Sequence, residues 1–387
     1  MRYRPNFASR LAIVGTGALI GVSCASPQGG LRSPSDAPFI EDVPGGRLLI
    51  GVDSVDQETV VLDLGTEELQ SLPDGLVALE LSEDGSKVLA ARLLHEPSGL
   101  GYALELVSVE VQTGARTVLV QSNPQGSLDG GSWSPDGLKV AYTQDADRHE
   151  TASLIAQDKV PQYTLCVRTL GGGVSRCFPD AGSVYTFDWS ADSRQLLVGG
   201  TGGEPMRLVD VTSGEVSVVV SAQDPDVLDV MRQEASVDVS AVQFIGPAWS
   251  PSGRYIGTRA MAGQTVPMIF SSDGALVAWG RSNPEFRPFG WSPARDVFAY
   301  AVGVNGGATP EPAVYLLDAV SGEDELLLPT DGESAPMVFD LDWSPGGRWL
   351  ALGDMDRVRL VDTTGAEDSR KIDPFGGVSG AVIDWIT

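Results

Sequence analysis

One short phrase recurs six times along this chain. Its copies are Leu81-Ser82-Glu83-Asp84-Gly85, Trp133-Ser134-Pro135-Asp136-Gly137, Trp189-Ser190-Ala191-Asp192-Ser193, Trp249-Ser250-Pro251-Ser252-Gly253, Trp291-Ser292-Pro293-Ala294-Arg295 and Trp343-Ser344-Pro345-Gly346-Gly347. A shortened copy, Ile383-Asp384-Trp385, stands just before the end. Successive in-phase serines lie 52, 56, 60, 42 and 52 residues apart, a period that marks an array of like units. Each phrase has the chemistry of a type I turn. Pro135 presets φ at the second position, Ser134 suits the first and Gly137 the fourth.

Extended residues precede each phrase, as in Val184-Tyr185-Thr186-Phe187-Asp188-Trp189, and a short apolar run such as Lys139-Val140-Ala141-Tyr142 follows it. Strand, tight turn, strand reads as a hairpin. A third strand comes next, for example Ala313-Val314-Tyr315-Leu316-Leu317-Asp318, then a Gly-bearing turn and a fourth strand, Glu325-Leu326-Leu327-Leu328. We label the four strands of a unit a, b, c and d. Arg47 to about Leu72 supplies b, c and d without an a, and Gly380 to Thr387 supplies an a with nothing after it. The two ends complement each other. The expectation is an all-β, seven-bladed β-propeller of four-stranded antiparallel blades, closed by the C-terminal strand completing the first blade.

Composition agrees: 46 glycines and 25 prolines punctuate many short strands. Several hundred residues exceed what one hydrophobic core usually organises, and a propeller avoids that limit because each blade packs only on its neighbours. The motif tryptophans read as inter-blade packing, each burying roughly 150–250 Å².

The phrase Trp-Ser-Pro-Asp-Gly followed by an apolar strand resembles the WD-like repeats of the TolB-type β-propellers, over residues 47–387. The resemblance implies the propeller fold. Related propellers serve as periplasmic scaffolds and as non-catalytic domains of prolyl-oligopeptidase-like enzymes, so a likeness of fold does not choose a function.

Residues 1–23 read as a lipoprotein signal peptide: Arg2, Arg4 and Arg10, then an apolar stretch from Leu11 to Val22 that is too short to span a bilayer at about 20 residues per span. Ile20-Gly21-Val22-Ser23-Cys24 resembles a bacterial lipobox, with cleavage before Cys24 and a lipid on its sulfur. Residues 24–46, with Pro27, Pro34, Pro38 and Pro44, read as a flexible tether, and 47–387 as the propeller. The expected location is the periplasmic or cell-surface side of a bacterial membrane, with membrane contact only through the N-terminal lipid. Cys166 and Cys177 flank Gly171-Gly172-Gly173 on strands c and d of one unit, and in an oxidising compartment we expect them to form a disulfide.

The net charge is −26, and −29 once residues 1–23 are removed, with 23 basic residues against 52 acidic ones. This excludes nucleic acid as a natural partner, because phosphate binding needs clustered Lys and Arg. The plain reading of this charge is solubility and colloidal repulsion, and the sharper one is attraction of a basic partner or of Ca²⁺. No continuous calcium-loop spacing occurs, so no cofactor is assigned and a calcium site built from several loops stays open.

Strand direction places the a–b and c–d turns on one face of the disc and the b–c and d–a connections on the other. The long excursions (95–101, 145–162, 223–242, 304–312 and 330–337) are all b–c or d–a. Insertions crowded on one side of a repeat array mark the recognition face. Its candidate binding residues are Asp147, Arg148, His149, Glu150, Asp226, Asp229 and Arg232, the last three on a short helix that starts at an acid and a proline. Acids just before the motif tryptophans (Asp188, Asp342 and Asp384, with Glu80 in phase) are candidates for the channel mouth.

The two histidines, His95 and His149, fall in different units. No Gly-x-Ser-x-Gly elbow, His-Glu-x-x-His zinc motif or phosphate loop occurs. No catalytic or metal residues are assigned. The reading is a non-catalytic, monomeric module that binds an envelope protein or glycan through the b–c/d–a face. The alternative is a carboxylate- or Ca-dependent hydrolase or lyase with its site on that face.

Overall fold

The computed structural model describes residues 47–386, apart from 53–58, 64–68, 72–75, 83, 96–100, 124, 148–161, 201–202, 237–238, 283–288, 303–312, 329–337, 339, 354–357, 366–369 and 373–379. The segments expected to be signal peptide and tether, with Cys24, lie outside these residues.

The chain runs as antiparallel strands. β1 (Arg47–Val52), β2 (Thr59–Asp63) and β3 (Leu69–Ser71) open it. β4 (Leu76–Leu81), β5 (Lys87–His95), β6 (Gly101–Glu110) and β7 (Arg116–Gln121) follow. Next come β8 (Leu128–Trp133), β9 (Lys139–Gln144), β10 (Thr164–Thr169) and β11 (Ser175–Cys177). The third group is β12 (Val184–Trp189), β13 (Gln195–Gly200), β14 (Met206–Asp210) and β15 (Val216–Val220). A helix, α1 (Pro225–Ala235), precedes β16 (Gln243–Trp249), β17 (Tyr255–Met261), β18 (Thr265–Ser271) and β19 (Leu276–Trp279). β20 (Phe289–Trp291), β21 (Val297–Val302), β22 (Ala313–Asp318) and β23 (Asp324–Leu328) come after it. The last are β24 (Asp340–Trp343), β25 (Trp349–Gly353), β26 (Val358–Asp362), β27 (Arg370–Ile372) and β28 (Gly380–Ile386).

These strands form a β-propeller with six blades, which corrects the expected seven: five sheets have four strands and one has eight. The cause is a single cross-pair. Leu128 at the start of β8 pairs with Ala103 in β6, and this fuses β4–β7 and β8–β11 into one sheet. Counting turn phrases counts hairpins, and a hairpin does not specify where hydrogen bonding to the next unit stops. The closure itself is present: β28 pairs antiparallel with β1, Trp385 opposite Leu48 and Gly380 opposite Val52. Innermost strands touch in cyclic order β28, β4, β8, β12, β16, β20, β24 and back to β28, the eight-stranded sheet contributing two of them.

The turn phrase folds as its residues dictate. Ser134 N–H donates to Lys139 O at 2.9 Å, Gly137 N–H to Ser134 O at 2.7 Å, and Lys139 N–H to Ser134 Oγ at 2.9 Å. Asp136 then accepts from the Ser134 hydroxyl at 2.5 Å and from Leu138 N–H at 3.0 Å. Gly137 has φ of 66°, the left-handed region where glycine carries no Cβ penalty. The Ala191-Asp192-Ser193 copy puts serine there at φ 59°, and the hydroxyl of Ser193 accepts the Asp136 N–H of the neighbouring turn at 2.9 Å.

The core lies in the seams between sheets. One seam joins Ala141, Leu165, Val167 and Phe178 to Val184, Phe187, Trp189 and Leu196. Another joins Val297, Ala299 and Leu316 to Leu341, Trp343 and Leu350. Alternation along each strand sends successive side chains to opposite faces, so every interior sheet feeds two seams. Cys166 and Cys177 stand directly opposite each other on β10 and β11 and are disulfide-bonded, as expected.

Candidate functional site

The a–b/c–d face is tied together by its own turns. Lys139 Nζ reaches Asp136 at 2.9 Å and the Ser193 carbonyl of the next turn at 3.2 Å. Arg254 bonds Asp296 of the following sheet at 2.8 Å, and Ser252 N–H donates to the same carboxylate at 3.4 Å. Arg176 at the end of β11 donates to the Val211 carbonyl at 3.1 Å, to Ser213 O at 2.7 Å and to Thr212 O, all in the neighbouring sheet's turn. Acids here are held ionised by local donors. The Ser82 hydroxyl and the Ser86 N–H and hydroxyl draw Asp84 down to about 2. Burial opposes ionisation of Asp362, yet bonds from Arg348 and Thr364 hold it at about 2.

The opposite face carries α1, in the d–a connection between β15 and β16. Asp224 caps it, accepting from Asp226 N–H at 3.0 Å and Val227 N–H at 3.4 Å, and Pro225 occupies the first turn, where its missing N–H costs nothing. Val227, Val230, Met231 and Ala235 are buried on Met206, Val242, Phe244, Met268 and Phe270. Asp226, Asp229 and Arg232 are therefore left exposed, as a helix with one apolar stripe requires. Asp229 and Arg232 pair with each other. At the last turn, Glu234 Oε1 accepts the indole N–H of Trp279 at 3.2 Å.

Of the second expected group, Asp147 is part-buried, while Arg148, His149 and Glu150 lie outside the described residues. The root of that excursion is fixed by buried Asp145, which accepts Ser127 N–H at 2.6 Å and the Ser127 hydroxyl at 2.9 Å. The excursions at 96–100, 303–312 and 329–337 also lie outside the description.

Of the acids before the motif tryptophans, Glu80 and Asp188 are bonded to the next innermost strand. Glu80 accepts Trp133 N–H of the adjoining innermost strand at 2.6 Å and the Ser132 hydroxyl at 3.3 Å. Asp188 accepts Trp249 N–H at 2.8 Å. Burial pushes the Asp188 carboxyl up to about 7, against the lowering effect of the Trp249 and Trp189 amides. Asp342 is buried on β24. Asp384 is placed by backbone register alone, opposite Leu49. Sequence reasoning missed Trp279 and Glu234. The signal was present: Trp279 stands outside the repeating phrase, on a d strand.

No protein-family model matches the chain, and no curated protein matches it significantly. Solved structures do. An oligogalacturonate lyase in complex with manganese superposes with a TM-score of 0.56 at 13% identity, covering 80% of this chain and 83% of that one. The oligogalacturonate lyase of Vibrio parahaemolyticus gives 0.56 at 12% identity over the same shares. The Cps50 (Swd1) β-propeller domain of Myceliophteria thermophila gives 0.51 at 15% identity, covering 84% of this chain and 96% of that one. At such identities the likeness speaks for architecture alone: the chain is a β-propeller that shares its fold with oligogalacturonate lyases and with the Cps50 (Swd1) β-propeller domain.

Proposed function

We propose that this chain is an exported propeller, anchored to the bacterial envelope through lipid on Cys24 and akin to the TolB-type propellers, that binds a protein or glycan on its b–c/d–a face without catalysis. One observation carries the reading. The a–b/c–d turns are bonded to one another, whereas α1 is built into the opposite face as a capped, core-packed element with Asp226, Asp229 and Arg232 turned to solvent. A rigid element presenting polar side chains is suited to recognition.

The test is partner capture from envelope extract by wild type and by the triple charge reversal Asp226→Lys, Asp229→Lys, Arg232→Glu. Glu215→Lys, on a c–d turn of the other face, serves as control. Loss of capture in the triple variant alone supports the reading; loss only in the control reverses the face. Cys24→Ser moves the protein from the membrane to the soluble fraction if the lipid is the anchor.

A second reading comes from the likeness to oligogalacturonate lyase, namely a carboxylate- or Ca-dependent hydrolase or lyase on the same face. This chain has two histidines, too few for a multi-histidine metal site. Turnover of oligogalacturonate by purified protein, with or without Ca²⁺, would replace the binding reading.

A further inference from the structure

We propose that Trp279 and Glu234 form an anchor for a basic polypeptide, with an arginine or lysine side chain laid over the exposed indole and its charge set against the carboxylate. This rests on the reading of the helix-bearing face as the recognition surface and adds to it an anchor and a partner chemistry.

Trp279 is 38% exposed, whereas Trp133, Trp189, Trp249, Trp291, Trp343 and Trp349 are each 7% exposed or less. It ends β19, an outermost strand, where the side chain serves no seam as deep as theirs. Its N–H bond to Glu234 Oε1 fixes the ring's orientation and leaves a face to solvent. Among the described residues, the Glu234 carboxylate has no other partner and the Asp226 carboxylate has none.

The neighbouring cations among the described residues are engaged elsewhere. Arg232 pairs with Asp229. Arg281, two residues beyond Trp279, bonds Asp324 at 3.0 Å and lies over Tyr315 at 4.8 Å. The fold uses the same arrangement internally: Lys139 lies 5.9 Å from the Trp189 ring and Arg348 5.3 Å from that of Trp349. Among the described residues, no cation of the chain lies over the exposed Trp279 ring. The negative end of the α1 dipole adds to the pull of Glu234. A net charge of −26 steers a basic partner toward this surface, whereas a neutral glycan gains nothing from that field.

The experiment uses the full chain and three probes: a fluorescein-labelled Arg-rich peptide, a Glu-rich peptide of equal length and a neutral cello-oligosaccharide. Binding is read by anisotropy for the peptides and by calorimetry for the sugar. The Arg-rich peptide is expected to bind, with Trp279→Ala weakening it roughly three- to thirtyfold. Glu234→Gln should weaken it less, and Trp279→Phe should fall between wild type and alanine. Unchanged melting temperatures establish that the variants are folded.

No binding of the Arg-rich peptide, or equal binding by Trp279→Ala, overturns the anchor; in the second case diffuse charge suffices. Sugar binding that disappears with Trp279→Ala overturns it in favour of a glycan. If Trp279→Ala is silent while the triple helix reversal abolishes capture, the anchor falls and the face reading stands. If both are silent, both fall.

Discussion

Innermost strands are joined in two different ways around this ring. At three junctions the motif indole N–H donates to a backbone carbonyl of the preceding strand: Trp189 to Ser132 at 3.4 Å, Trp291 to Ala248 at 3.0 Å and Trp343 to Gly290 at 3.1 Å. At two others the preceding repeat has an acid at that place, and its carboxylate takes the backbone N–H of the next tryptophan: Glu80 with Trp133 and Asp188 with Trp249. The residue just before one tryptophan thus sets how the next one is held. A small residue leaves its carbonyl open to the indole, whereas an acid reaches across. The indole junction uses groups that do not titrate. The carboxylate junction at Asp188 brings an ionisable group into a buried site, and its strength therefore depends on pH.

The largest effect should come from removing an indole. Trp343 is 1% exposed, and Trp343→Ala should cost about 3–5 kcal/mol in denaturant unfolding, mostly from the cavity. A cost below roughly 1 kcal/mol would mean that the seam does not depend on the tryptophan.

The pH dependence separates the two junction types. The Asp188 carboxyl is raised to about 7 from 3.8, so the folded state holds a proton that the unfolded chain releases. Stability from this group is full below the unfolded value and declines as pH climbs toward and past 7. The integrated loss is on the order of 4 kcal/mol. Subtracting the melting profile of Asp188→Asn from that of wild type isolates it from the other carboxylates. A flat difference between pH 4 and 8 would refute the assignment.

At pH 4 to 5, where Asp188 is neutral, Asp188→Ala leaves Trp249 N–H without its acceptor and should cost about 1–3 kcal/mol. Ser132→Ala, at an indole junction, keeps the carbonyl that Trp189 uses and loses the hydroxyl's 3.3 Å bonds to Glu80 and to the Trp133 carbonyl. Its cost should stay under about 1 kcal/mol. Equal costs for the two alanine variants would erase the distinction between the junctions.

Much of the fold could be read along the chain because its causes are local. Ser134, Pro135 and Gly137 make a turn wherever they stand in that order, and alternation fixes which side chains enter a seam. The disulfide was legible because Cys166 and Cys177 sit symmetrically about one turn. The helix start followed from an acid and a proline, whereas its buried side was shown by its packing on Met206, Phe244 and Phe270. The sheet count was not legible, because the Ala103–Leu128 pair depends on how two finished hairpins come together. The roles of Glu80 and Asp188 were not legible either, since an acid before a tryptophan looks the same whether it faces a channel or a backbone amide.

What the sequence by itself determined is the repeat, its hairpins, the joining of the chain's two ends and the face from which α1 rises. All follow from turn chemistry and strand direction, which act over a few residues. Only the tertiary structure decided which sheets merge, which acids become acceptors between strands, and that Glu234 meets Trp279 across 45 residues of chain. Those outcomes depend on distances through space that no local pattern encodes.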